Sequence, residues 1–319
     1  MIKYANTRVA FIDSLAELAD KNPKIVLVCS DSSKVIRADG FKAAFPDRFI
    51  DVGIAEQNAV ACAAGLASCG LIPVVATYAG FITMRACEQV RTFVAYPFLN
   101  VKMVGANGGI GAGEREGVTH QFFEDLGILR TIPGITIVVP ADASQVSKAV
   151  EAVVNVPGPV YLRIGSGRDP VVLDSDLPFE LGKIRHLQVF GDDVAILANG
   201  HTIPRALAAA KRLYNSGIKA AVVEVHTLRP LDTEGIVAIL EKTGAAVTVE
   251  DHNIIGGLGS AIAEVIAEKV PVPLARVGLR DLFPESGEAE KLMDAYGLSV
   301  DDICNACRQV LARKEGRSA

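Results

Sequence analysis

Residues 49–70 read FIDVGIAEQNAVACAAGLASCG. A short run rich in apolar and β-branched residues stops at Gly53, and a stretch crowded with alanine and glycine follows at once, which reads as a strand turning into a tightly packed helix. Glu56 is the one acid of the helical part and stands at its start. A helix N-terminus favours the charged carboxylate, whereas burial favours the neutral acid. A group held between those pulls suits proton sharing. Read by itself, it serves equally as a helix cap or as a buried hydrogen-bonding group.

The same alternation runs outward in both directions. KIVLV, IPVVATY, NVKMVGA, ITIVVPA and PVYLRI, then DVAILANG, IKAAVVEVH, AAVTVED and LARVGL, are apolar runs separated by helical patterns. Continuously apolar strands with intervening helices imply parallel sheets covered on both faces. The expected class is α/β, with two doubly wound domains built on mainly parallel sheets. Proline, glycine and acids replace the alternation in GSGRDPVVLDSDLPFELGKIRH, residues 165–186. That break places one domain over 1–168, a linker over 169–186 and a second domain over 187–319.

Bulk properties exclude several classes. With 319 residues, 50% of them hydrophobic, the chain has apolar surface for two cores. No apolar run approaches the roughly 20 residues that span a bilayer, and the first residues lack a charged-then-apolar signal, so a cytoplasmic protein with no membrane partner is expected. A net charge of −5 and no basic cluster argue against nucleic acid. Of the six cysteines only Cys304 and Cys307, in CNAC, have metal or redox spacing. They stand in a helical pattern without a second pair, which reads as a chance pair on one helix, and no metal site is expected on this chain. GGLG at 256–259 falls between a strand and a helix, where phosphate could meet helix amides, but it lacks the GxGxxG pattern and reads as close packing. His252, in VEDHN, reads as a capping or interdomain hydrogen-bonding group.

Glu56 is followed by TYAGFITMRACEQVR (77–91), GANGGIGAGEREGVTHQFFED (105–125), IPGITIVVPADA (132–143) and GPVYLRIGSGR (158–168). In this order they resemble the pyrimidine-binding domain of thiamine diphosphate enzymes of the transketolase family, and GIAEQNAVACAAGLA is especially similar to deoxyxylulose phosphate synthase. The second half resembles the C-terminal domain of that family.

The resemblance implies that Glu56 bonds N1′ of the cofactor's aminopyrimidine. It thereby favours the imino tautomer, whose N4′ can take the proton from thiazolium C2. It also implies that Ile54, Tyr78 and Phe81 line the pyrimidine, and that His120 reaches the substrate and shuttles a proton. Arg163 corresponds to an arginine that grips a sugar phosphate, as a planar guanidinium can, and Arg8 to a second such arginine. Asn107 replaces a basic phosphate contact, Arg115 stands in a slightly lengthened loop where it can compensate, and Glu116 replaces an aspartate that meets a substrate hydroxyl. An anionic sugar other than a standard pentose phosphate, or a standard one gripped differently, is the implied substrate. Asn58 stands where the deoxyxylulose enzymes have histidine.

The family's GDG motif with its downstream asparagine, which binds magnesium and diphosphate, is absent. GDD at 191–193 lacks the second glycine and precedes a strand. The expected entity is one subunit of a split transketolase, in an α2β2 assembly whose partner subunit holds the diphosphate and Mg. The same two domains occur in the β subunit of 2-oxo acid dehydrogenases. THQ and VVPADA here differ from the His-Ser pair and the longer proline-containing segment usual there. A deoxyxylulose phosphate synthase fragment is a further reading, against which a start at Met1 just before the first strand suggests an independent gene product. A non-catalytic relative would have no need of Glu56, Phe81 and His120 together.

Overall fold

The computed structural model describes residues 3–111, 117–165 and 169–316. The first half contributes β1 (Lys3–Ala5), β2 (Ile25–Cys29), β3 (Phe49–Asp51), β4 (Ile72–Tyr78), β5 (Lys102–Ala106), β6 (Thr136–Val138), β7 (Val160–Arg163) and β8 (Asp169–Val171). The second contributes β9 (Arg185–Val189), β10 (Val194–Ala198), β11 (Ala220–Glu224), β12 (Thr227–Arg229), β13 (Ala246–Asn253) and β14 (Leu274–Leu279).

Two α/β sheets form among the described residues. The larger runs β12-β6-β7-β5-β4-β2-β3, with β2 to β7 parallel. The smaller runs β14-β13-β10-β11-β9, parallel except for β9. Side chains alternate across each strand, and in the central strands both sets are buried. Val26 and Val28 of β2 join one core, while Ile25, Leu27 and Cys29 join another on the opposite face. The strands therefore read as unbroken apolar runs.

The halves are joined by a shared core and by a strand, and the stretch between them is tied back to the first half. One apolar cluster takes Val75 and Met103 from the larger sheet and Leu197 and Val223 from the smaller. β12 leaves the second half to close the larger sheet antiparallel to β6. β8, in the proline- and glycine-rich stretch, pairs antiparallel with β1. Asp142 secures that stretch: it caps the helix Ala143–Asn155 through the Gln145 N–H at 3.1 Å and also accepts from Val172 N at 2.9 Å and Leu173 N at 2.8 Å.

The GGLG segment is filled by the protein itself. The Glu250 carboxylate accepts from Leu258 N at 2.6 Å and Gly259 N at 2.7 Å, so the N-terminus of the helix Leu258–Glu268 has its anion already. Burial nevertheless pushes the Glu250 carboxyl up to about 7. His252 takes the Gly127 N–H on Nε2 at 3.2 Å and donates from Nδ1 to Asn253 O at 2.6 Å, a neutral imidazole bridging the halves. Cys304 and Cys307 are both buried on the helix Val300–Lys314, with the Cys304 thiol directed at Ala209 O.

Candidate active site

Ligands of open α/β sheets sit beyond the carboxyl ends of the strands. Residues Asp31, after β2, and Asn107, after β5, both adopt the left-handed conformation there, with φ of 54° and 57°. Asp51, ending β3, ties the edge together: its Oδ1 accepts from Asp31 N at 2.8 Å and Gly53 N at 3.0 Å. The chain then rises through Ile54, which is 75% exposed, and enters the helix Glu56–Ser68. Ala59, Val60, Ala63 and Ala64 form the helix's buried face, and small side chains let it press on the segment that follows β4. Glu56 opens this helix with its side chain only 2% exposed.

That next segment is not a regular α-helix. Phe81–Arg85 and Val90–Ala95 form π-helical turns around the short helix Cys87–Gln89, an arrangement that often accompanies function. Its first turn delivers Arg85 to Glu56 and lays it over Phe81. Arg85 Nη1 donates to Glu56 Oε2 at 2.6 Å, and the Arg85 guanidinium carbon lies 4.1 Å from the centre of the Phe81 ring.

Phe81 is also the hub of an aromatic cluster. Its ring centre is 5.2 Å from each of Tyr78, His120 and Phe122, and Tyr78 and His120 are 5.0 Å apart, edge to face. Gly80 makes the close approach possible, since a Cβ there would lie 1.8 Å from the Phe122 ring. His120 closes a turn on Gly117 O, and its Nδ1 is 3.0 Å from Thr119 Oγ1. Glu56, Tyr78, Phe81 and His120 are thus brought to one edge by a helix start, a strand end, a π turn and a loop.

Asn107 is 5% exposed and its Oδ1 has no hydrogen-bond partner. A buried acceptor left without a donor is costly unless something supplies one. Arg8 stands in the first turn of the helix Thr7–Lys21, half-buried, its N–H capped by Asn6 Oδ1 at 3.0 Å. Arg115 and Glu116 lie outside the described residues.

Arg163 lies within the protein's own hydrogen bonds. Its side chain is 4% exposed and turned inward: Nε and Nη2 meet the Asp125 carboxylate at 2.9 and 3.1 Å, Nη1 meets Asp251 O at 3.0 Å and Nη2 meets Phe122 O at 3.0 Å. Four of its five N–H donors are used within the protein, so the geometry makes it a strut between β7, the Phe122 segment and β13. The glycine-rich loop leans on the same strut, for a Cβ on Gly108 would fall 2.2 Å from Arg163 Nε.

Sequence reasoning missed Asp251 and its partner His201. The Asp251 carboxylate accepts from Ile110 N and Gly111 N, both at 2.9 Å, and its Oδ2 pairs with His201 Nε2. Burial alone would raise its pKa, but His201, Arg163 and the Ile110 amide outweigh burial and hold it at about 2. Gly109, at φ 89°, has no room for a Cβ against this carboxylate. Arg85 was missed as well, although FITMRACEQVR contains it; the signal available was a charged residue one helical turn beyond Phe81.

Comparison with known proteins fits this geometry. Residues 3–167 match the model of the transketolase pyrimidine-binding domain and residues 182–303 that of the transketolase C-terminal domain. The chain is 43% identical over 311 residues to the 6-deoxy-6-sulfo-D-fructose transketolase subunit SqwH of Clostridium sp. (strain MSTE9), covering 97% of this chain and 96% of that one. It is 38% identical over 307 residues to an apulose-4-phosphate transketolase subunit of Phocaeicola vulgatus, covering 96% and 97%. A solved structure described as a split gene transketolase, inactive β4 tetramer, superposes with a TM-score of 0.88 at 41% identity, covering 97% and 99%. With both domains matched in order and relatives of this identity aligned along nearly their whole length, the chain belongs to the transketolase family and has the extent of its split-type subunits.

Proposed function

We propose that this chain is the pyrimidine-side subunit of a two-chain, thiamine diphosphate-dependent transketolase that moves a two-carbon ketol unit from an anionic ketose to an aldose. The observation that carries the reading is the buried Glu56 carboxylate at a helix start, linked through Arg85 to the Phe81 ring that packs against Tyr78 and His120. These residues fit the pyrimidine end of the cofactor: one acid to share a proton with N1′, aromatic faces for a flat ring, and Ile54 at the mouth. When bound, thiamine diphosphate supplies a carbon nucleophile for the ketose carbonyl. Glu56 holds a proton at N1′, the aromatic cluster orients the pyrimidine and excludes water, and His120 stands one ring away from Phe81 to give or take a proton at the substrate oxygen.

Diphosphate and Mg fall to a partner subunit in an α2β2 assembly, since the sequence has no GDG motif. The surface round the site supports docking of a second chain: Ile54, Met84, Phe93 and Tyr96 are exposed apolar residues on the segments flanking Glu56 and Phe81, with Tyr96 at 87%. The description of the solved relative as inactive when it is a β4 tetramer agrees with a need for such a partner. Domains 1–168 and 187–319, joined by 169–186, work together in the cytoplasm; among the described residues no helix is long and apolar enough to cross a membrane.

The relatives named above act on a sulfonated and a phosphorylated sugar, which supports an anionic substrate here. Because Arg163 is committed inward, the anion falls to Arg8 and Arg115, while Asn107 uses its unpartnered amide oxygen on a sugar hydroxyl and Glu116 meets another. The test is to purify the full chain with its partner and assay ketol transfer from sulfo- and phosphoketoses. Glu56→Gln should lose turnover by about 100-fold or more, the usual scale of a positioned proton-transfer group. Undiminished turnover in that variant would refute the reading.

A further inference from the structure

Arg85 occupies both contacts that the proposed function reserves for the aminopyrimidine. Its Nη1 donates to Glu56 Oε2 at 2.6 Å, and its guanidinium carbon sits 4.1 Å from the Phe81 ring centre. A guanidinium and a 4-aminopyrimidine share the features those contacts select: a flat, delocalised frame, a nitrogen that shares a proton with a carboxylate, and a face that stacks on an aromatic ring. Glu56 Oε2 and the stacking face of Phe81 cannot serve both at once.

We propose that Arg85 is an internal placeholder for the cofactor's pyrimidine: it pairs with Glu56 and covers Phe81 in the unliganded chain and turns out to solvent when the cofactor enters. The inference rests on the assignment of Glu56 and Phe81 to the pyrimidine. An empty site would otherwise leave a buried carboxylate without a counter-charge, which is unfavourable. Arg85 is suited to leave, because its side chain is 45% exposed whereas Glu56 is 2% exposed. The cation has only to rotate into water it already touches, and a half-exposed ion pair is weakly held. Lying in a π-helical turn, where the backbone is wider than in an α-helix, it also has less regular packing to disturb.

The test uses the complex of the full chain with its diphosphate-binding partner, stripped of cofactor and titrated with thiamine diphosphate and Mg. Affinity is read by calorimetry and by the near-ultraviolet circular dichroism of the bound aminopyrimidine. Arg85→Ala should bind the cofactor about fivefold more tightly, the scale expected when one weak competing ion pair is removed. Arg85→Lys, which keeps the charge without the flat fork, should fall between Arg85→Ala and wild type. Adding Glu56→Gln should erase the gain, since no carboxylate is then contested. Unchanged or weaker binding in Arg85→Ala, alongside weakened binding in Glu56→Gln, overturns the placeholder and leaves the cofactor reading standing. Unchanged binding and dichroism in Glu56→Gln alone overturns that reading, and the placeholder with it.

Discussion

Replacing Asp125 by asparagine removes one charge from an enclosed ion pair of the first half. Arg163 and Asp125 are 4% and 0% exposed. The Asp125 carboxylate receives Tyr161 Oη at 2.7 Å as well as Arg163 Nε and Nη2. Asparagine keeps the shape and one acceptor, but the guanidinium then faces a neutral amide and the carbonyls of Phe122 and Asp251. Breaking a buried pair from one side costs about 3–5 kcal/mol. For a unit the size of the first half, that lowers the melting temperature by on the order of 10 °C. Calorimetry or circular dichroism melts of the full chain measure it. Arg163→Met should cost a similar amount, and the double variant less than the sum of the two, because no unpaired charge then stays buried. A melt of Asp125→Asn within about 2 °C of wild type, or strict additivity in the double variant, would falsify the strut. The cycle also separates the two roles of Arg163, since a residue whose main work is gripping sugar would raise KM in Arg163→Met and leave melting unchanged.

Two further perturbations follow from buried charges outside the aromatic cluster. Glu224 is fully buried, with Arg185 Nη1 at 3.5 Å, and burial raises its pKa to about 7 from an ordinary 4.5. In that window the folded chain keeps a proton that the unfolded chain gives up, so stability falls as pH rises from about 4.5 to 7. Glu224→Gln should flatten the fall in melting temperature between pH 5 and pH 8, and an equal slope in both proteins would contradict the assignment. His201→Ala should weaken the hold of Asp251 on Ile110 and Gly111; hydrogen exchange at those two amides is expected to speed up by about tenfold, the effect of losing on the order of 1.4 kcal/mol of local stability. Unaltered protection there would show that Asp251 keeps the loop without help.

The long elements were legible because two-sided burial writes itself into the chain. β2, β4, β5, β7, β10, β11 and β13 are apolar on both faces, and the sequence runs that mark them need no partner to be recognised. β1, β8, β9 and β12 escaped for the opposite reason. Three of the four are three residues long, β1 and β9 are largely exposed or half-buried, and each gains its identity from a strand that is distant or antiparallel. β12 shows the limit most clearly: TLR, in the second half, becomes a strand only because β6 of the first half offers it an edge.

The candidate site divides along the same line. Glu56 stood out because a lone acid at the start of an alanine-rich helix conflicts with its surroundings, and a local conflict is visible in one dimension. The arginines are different. Arg85 and Arg163 are the same side chain, each after a hydrophobic segment, yet one is 45% exposed against a single carboxylate and the other is 4% exposed inside a mesh of four acceptor oxygens. What separates a cation free to leave from one that cannot move is the number of partners folded around it, and those partners come from Asp125, Phe122 and Asp251, up to 88 residues away. Motif matching therefore picked out Arg163 without seeing the partners that enclose it, and it passed over Arg85, which the fold leaves half-exposed beside Glu56.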